Sequence, residues 1–265
     1  MKKWQVHIPC NPKNVAEIVL LPGDPARAKM IGKQYLEKGK LVASYREFVT
    51  YTGYYKGIKI TTTSTGIGSP STAIAVEELI NMGAKVLIRV GTCGGALKKE
   101  ILPGSVIIPT ATIREEGTTK EYLPPEFPAV ADFTVVDALI KSAQDLKIRY
   151  YTGINRTHDA FYGQSSNIKK WGSIYTNERM KNWAYPLISS EMECAPLYLI
   201  ATLRGVRAGA VLAVNANPEP LKEIMLGKFK FDVPTSKITT SEALQSVDRA
   251  IKTALEASLL LSKMI

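Results

Sequence analysis

Residues 17–27, EIVLLPGDPAR, set the architecture. An apolar strand, 18–21, runs into a tight turn and then a helix start. Asp24 offers a capping oxygen, and Pro25 is preset for the first helical position. Gly23 lets main chain approach a ligand closely, and Arg27 lies one turn into the helix. Such a junction can hold an anion through free N–H groups and a guanidinium. The competing reading is a capped helix start with no ligand. Asp24 would also repel an anion unless it faces its own helix.

Val- and Ile-rich runs alternate with helical patterns along the rest of the chain, which predicts an α/β protein with a sheet covered on both faces. Strands are expected at 18–21, 41–45, 48–53, 59–64, 86–90, 105–113, 150–155, 187–190 and 207–214. Helices are expected at 25–35, 70–82, 133–146, 195–204 and 240–263. YTGYYKGIKI, 51–60, reads as a hairpin turning at Lys56-Gly57. Ser69-Pro70 repeats the cap-then-proline signature. The last helix puts Ala243, Val247, Ala250, Ile251, Ala254, Leu255, Ser258 and Leu259 on one face. No repeat or linker divides the 265 residues, so a single domain, 1–265, is expected.

Composition narrows the class. Apolar residues are 45% and charged residues 22%, ordinary for a globular protein. No apolar run approaches the roughly 20 residues of a membrane span, and MKKWQVHIPCNP lacks the apolar core of a secretory signal. A cytoplasmic location is expected. Cys10, Cys93 and Cys194 are odd in number and widely spaced, which argues against a disulfide framework. With only His7 and His158, no His-rich metal site is available, and no clustered acidic motif suggests another. The formal charge of +10 is scattered, with no run of five basic residues. That pattern predicts a lysine-rich surface rather than a nucleic-acid interface, and leaves some arginines for a small anionic substrate.

Three further stretches carry chemistry. KVLIRVGTCGGAL, 85–97, places Arg89 inside an apolar strand, where a guanidinium needs a charged or well-bonded partner. Gly91, Gly94 and Gly95 would let a ligand sit against main chain there, and Thr92 adds a hydroxyl; an internal salt bridge to a glutamate is the alternative. SYREFVTYTG, 44–53, adds Arg46 at a strand or turn. In STGIGSPSTAIAVEEL, 64–79, Gly66, Gly68 and Ser69 can form a concavity of N–H groups, although neither a Walker loop nor GxGxxG is present. In ISSEMECAPLYL, 188–199, Glu191 and Glu193 point to one side if the chain is extended. A carboxylate there can accept from both hydroxyls of a ribose diol. The two are too close in sequence to flank a bond as a glycosidase pair does.

Taken in order, HIPC, LPGDPAR, YREF, STGIGSPSTAIAVEEL, RVGTCGG, EFPAVADF, DAFYGQ and EMECA resemble the nucleoside phosphorylase family, which includes uridine and bacterial-type purine nucleoside phosphorylases. The resemblance implies a three-layer α/β/α sandwich whose mixed sheet curls into a partial barrel. It implies a trimer-of-dimers hexamer with active sites shared between subunits. The implied reaction is phosphorolysis of a ribonucleoside by inorganic phosphate, a co-substrate, with no cofactor and no metal. By motif, Gly23, Arg27, Arg89 and Thr92 would bind phosphate, with Arg46 from a neighbouring copy. Met192, Glu193 and Thr92 would hold ribose, with His7 reaching across from the neighbour. Cys93, Gly94, Phe161, Gln164 and Asn217 would line the base. Arg89, Glu193 and Gln164 would carry the chemistry, while His158 matches no role and reads as structural.

DAFYGQ, YREF and EFPAVADF lean towards uridine, but Ser166 stands where the uridine enzymes carry an arginine two positions after the glutamine. Asn217 stands where the purine enzymes carry an aspartate that protonates the leaving base, and an amide is no general acid. Uridine is favoured on these motifs. The alternatives are a purine or methylthioadenosine phosphorylase on the same fold, a nucleosidase, and a non-catalytic nucleoside-binding protein.

Overall fold

The computed structural model describes residues 4–94, 101, 104–161, 187–214 and 241–265. The strands are β1 (Ile18–Leu21), β2 (Glu37–Tyr45), β3 (Phe48–Tyr55), β4 (Ile58–Thr63), β5 (Val86–Cys93), β6 (Val106–Glu115), β7 (Ala129–Val130), β8 (Tyr150–His158), β9 (Leu187–Glu191) and β10 (Arg207–Val214). The helices are α1 (Pro25–Met30), α2 (Ser69–Asn81), α3 (Thr118–Tyr122), α4 (Phe133–Asp145), α5 (Cys194–Arg204) and α6 (Ser241–Leu261).

One mixed sheet takes in every strand, in the order β2-β3-β4-β1-β5-β10-β6-β8-β9, with β7 paired to β6. Its centre is parallel: β1 lies between β4 and β5, and β10 lies beside β5. Strands covered on both faces read as continuous apolar runs, and all four residues of β1 are buried. In β5, Val86 to Val90 are all buried, Arg89 included. Helices α4 and α6 pack on each other and on β10, while α2 and α5 pack together as the other layer. Gly209 lets α4 come close to β10, since a Cβ there would stand 2.5 Å from Val135 Cγ1.

The sheet curls without closing. Past β8, β9 swings back to the end of β5, where the Gly94 N–H donates to the Ser190 carbonyl at 3.0 Å. That single bridge is the only pairing between the two strands' ends among the described residues.

Several local expectations change. The helix expected at 25–35 is α-helical only to Met30 and continues as a π turn, Ile31–Tyr35. Ser69 does not cap α2: Gly68 occupies that position at φ 94°, and the Ser69 hydroxyl donates to the Met192 carbonyl at 3.1 Å. The buried stripe of α6 includes Ala257 and Leu261, whereas Leu259 is only partly buried. The short elements β7 and α3 were not expected; each is too brief to show a period. Lys56-Gly57 does form the β3–β4 turn, with both φ positive, 46° and 86°, as a two-residue hairpin demands.

Candidate active site

Register brings Gly23, Arg27 and Arg89 together. Leu21, the last residue of β1, pairs with Arg89 of β5, so the turn carrying Gly23 and Arg27 opens directly above that strand. Asp24 turns back to cap α1, accepting from the Ala26 N–H at 2.8 Å, which removes its charge from the mouth of the junction. Gly23 is hemmed in by the next loop: its carbonyl accepts from Gly66 N–H at 3.0 Å. A Cβ on Gly23 would lie 3.1 Å from the Gly66 carbonyl and 3.9 Å from Arg89 Nη1.

Arg89 is the hub. It is 5% exposed, and both glutamates converge on it. Nη2 meets Glu193 Oε2 at 2.5 Å, and Nε lies 3.0 Å from Glu191 Oε2, an ion-pair contact without hydrogen-bond alignment. Nη1, on the Gly23 side, has no partner among the described residues. Burial works against the Arg89 charge, but Glu193 and Glu191 outweigh it and keep the guanidinium firmly protonated. The salt-bridge alternative is realised at Nη2 and Nε, while Nη1 is left over among the described residues.

Arg27 adds a second, less contented cation. Its Nη1 donates to the Val90 carbonyl at 3.2 Å. Burial lowers its pKa, the neighbouring charge of Arg89 lowers it further, and Asp24 only partly compensates. Two neighbouring guanidinium groups disfavour each other's charge here, and Arg27 has only a main-chain acceptor to offset it.

The glutamates are not equivalent, and they do not share an extended run. Glu191 ends β9, whereas Glu193 sits at the N-terminus of α5 with φ −136° and ψ −13°. Glu191 accepts from Asn155 Nδ2 at 2.8 Å, Thr157 Oγ1 at 2.6 Å and the N–H groups of Glu193 and Cys194 at 2.7 and 3.0 Å. Burial would raise its pKa, yet Arg89 and these donors hold it below the usual carboxylate range. Glu193 Oε1 accepts from the Gly68 N–H at 2.6 Å. The concavity of the STGIGS loop therefore holds an internal carboxylate. Burial pushes the Glu193 pKa up, Arg89 only partly offsets it, and Glu191 adds to the rise.

A family model described as the phosphorylase superfamily matches residues 17–252. The chain belongs to this superfamily. It is 45% identical over 214 residues to uridine phosphorylase of Treponema pallidum, covering 80% of this chain and 82% of that one. It is 34% identical over 254 residues to guanosine phosphorylase of Halorubrum lacusprofundi, covering 96% and 97%. The crystal structure of purine nucleoside phosphorylase from Toxoplasma gondii in complex with immucillin-H matches at TM-score 0.84 and 32% identity, covering 100% of this chain and 98% of that one.

Within this superfamily frame the remaining motif residues fall at different distances from the hub. Thr92 and Cys93 continue β5 beyond Arg89, and Gly94 forms the bridge to β9. The Cys93 thiol is turned inward, donating to the Ala213 carbonyl at 3.6 Å, so burial raises its pKa and it adds no thiolate. Met192 is half-buried between the two glutamates. Phe161 is 51% exposed just past β8. Gln164 and Asn217 lie outside the described residues.

Two residues stand apart from the hub's contacts. Arg46 occupies the exposed turn between β2 and β3 at φ 52°, its guanidinium 5.5 Å from the Tyr45 ring centroid. His7 is held by Glu78, which meets its Nδ1 at 2.8 Å and accepts from the His7 and Ile8 N–H groups. His158 is buried and neutral, its pKa pushed down to about 4 by burial and then by Arg156. The sequence reading missed Asn155, Thr157 and Glu78. The signal for the first two was a polar run, NRTH, inside a strand: Asn155 and Thr157 are 0% exposed, and buried polar groups need partners.

Proposed function

We propose that this chain is a nucleoside phosphorylase that transfers the ribosyl group of uridine to inorganic phosphate, releasing free base and ribose 1-phosphate. The observation that carries this reading is the unused Arg89 Nη1 beside Gly23, next to the underpartnered Arg27. Water as the attacking group would need no such cationic seat, which argues against the nucleosidase alternative.

In the proposed reaction Gly23, Arg27, Arg89 and Thr92 seat phosphate, with Arg46 supplied by a neighbouring copy. Glu193 and Met192 hold the ribose, with a neighbour's His7 at its far end. A phosphate oxygen forms the bond to C1′ while the C1′–N bond breaks, and the base leaves with that electron pair. Charge built up in this step is met by groups already in place, which lowers the barrier without a covalent enzyme intermediate. Gln164, Asn217, Phe161, Cys93 and Gly94 make up the base side. The proposal includes one domain, no cofactor or metal, a trimer-of-dimers hexamer, and a cytoplasmic role in pyrimidine salvage. No described helix is long and apolar enough to cross a membrane.

A purine substrate is the second reading, supported by the guanosine phosphorylase relative at 34% identity over 96% of this chain. A panel of uridine, thymidine, inosine, guanosine, adenosine and methylthioadenosine, each with and without phosphate, tests both readings. Uridine is expected to turn over fastest, and only with phosphate. Base release without phosphate, or none under any condition, overturns the proposal.

A further inference from the structure

Behind Arg89 lies a closed set of polar side chains that no nucleoside or phosphate group needs to reach. Thr157 Oγ1 donates to Glu191 Oε1 at 2.6 Å and accepts from the Ala195 N–H at 3.1 Å. It also lies 2.9 Å from Thr112 Oγ1. Asn155 Nδ2 donates to Glu191 at 2.8 Å and to Thr112 Oγ1 at 3.0 Å. Asn155 Oδ1 in turn accepts from Ser189 Oγ at 2.7 Å. Thr112, Asn155, Thr157, Ser189 and Glu191 come from β6, β8 and β9, and all five are buried. This is an expensive arrangement for packing alone, since apolar side chains of similar shape would fill the space without needing partners.

We propose that Glu191, Asn155 and Thr157 are positioning residues that keep Arg89 available to phosphate. A carboxylate beside a guanidinium competes with any incoming anion. Glu191 carries four hydrogen-bond donors from other groups, so its charge is already shared when Arg89 approaches. Its contact with Arg89 is at Nε and lacks hydrogen-bond alignment, which holds the plane of the guanidinium while leaving Nη1 directed to Gly23. Take away the Thr157 or Asn155 donor, and Glu191 concentrates its charge on Arg89. It then draws the guanidinium from the anion seat. The same Oε2 accepts the Glu193 and Cys194 N–H groups, so the start of α5 is tied to the same carboxylate.

This inference rests on the phosphorylase reading, and the test separates the two. Thr157→Val keeps the side-chain shape and deletes the hydroxyl; Thr157→Ser restores the hydroxyl; Asn155→Ser is a milder second probe should the valine variant fail to fold. Phosphate KM is measured at saturating uridine, and uridine KM at saturating phosphate. Thr157→Val and Asn155→Ser are expected to raise phosphate KM by about tenfold, the scale of one hydrogen bond to a charged group. Uridine KM should move by less than about threefold, and Thr157→Ser should stay near wild type. A phosphate KM unchanged in both variants, or both KM values rising together, overturns the positioning role. A wild-type protein that shows no phosphate-dependent base release overturns the reading beneath it instead.

Discussion

Arg27→Met removes the guanidinium at the anion seat that has no carboxylate in ion-pair reach among the described residues. In the folded chain Arg27 gives up one hydrogen bond, to the Val90 carbonyl at 3.2 Å, which contributes about 1 kcal/mol. Burial and the charge of Arg89 both disfavour the Arg27 cation, so its removal also relieves a cost. The two effects oppose, and the net change in stability should stay within about 1 kcal/mol, a Tm shift below roughly 4 °C for a chain of this size. Phosphate, by contrast, loses a charge-assisted hydrogen bond of about 1.5–3 kcal/mol, or about 10- to 150-fold in affinity. The assay pairs phosphate KM at saturating uridine with thermal unfolding in the presence and absence of phosphate. Wild type in phosphate at about 100 times Kd should gain roughly 2.7 kcal/mol, some 5–10 °C, and the variant should lose about half to nine-tenths of that gain. An unchanged phosphate KM, or a variant that unfolds more than about 10 °C lower without phosphate, refutes the reasoning.

Three further outcomes follow from the same geometry. Arg89→Ala leaves Glu191 and Glu193 buried without their cation and should cost about 3–5 kcal/mol in urea unfolding, part of it recovered by adding Glu193→Gln. Gly23→Ala puts a Cβ 3.1 Å from the Gly66 carbonyl and 3.9 Å from Arg89 Nη1; phosphate KM should rise about tenfold or more with little change in Tm, since a small misplacement at the reacting group is costly. His158 is held neutral, with its folded pKa at about 4 against 6.5 in the unfolded chain. Its contribution is present above pH 6.5 and is lost as pH falls from 6.5 towards 4, by roughly 3 kcal/mol in full. His158→Gln should flatten that part of the stability–pH curve; an identical slope in both proteins contradicts the assignment.

Much of the frame was legible because it depends on short-range rules. A four-residue apolar run bounded by Gly23-Asp24-Pro25 has few structures open to it, and β1 and the capped start of α1 follow. Arg89 announced a need for partners by standing in an apolar strand, but nothing local could say whether the partner was a glutamate or a ligand. Its partners are Glu191 and Glu193, about a hundred positions away, and they leave Nη1 over. The glycine loop misled for the same reason: its N–H groups do face an anion, and that anion is Glu193. Ser69 looked like a cap because local chemistry allows it, yet the distant Met192 carbonyl claims its hydroxyl. Asn155 and Thr157 were overlooked because alternation in a strand reports which side is inward and not what waits there.

The bridge between Gly94 and Ser190 has an evolutionary reading. The proposed phosphate and ribose seats draw on the ends of β1, β5 and β9, and this bridge ties the last two together. Of the residues proposed to read the base, Phe161, Gln164 and Asn217 follow β8 and β10 in the chain, on separate stems, whereas Cys93 and Gly94 belong to the seam itself. Mutation can rewrite those stems' extensions without loosening the seam, so one ancestral scaffold can diversify into pyrimidine and purine specialists while its reactive heart stays still.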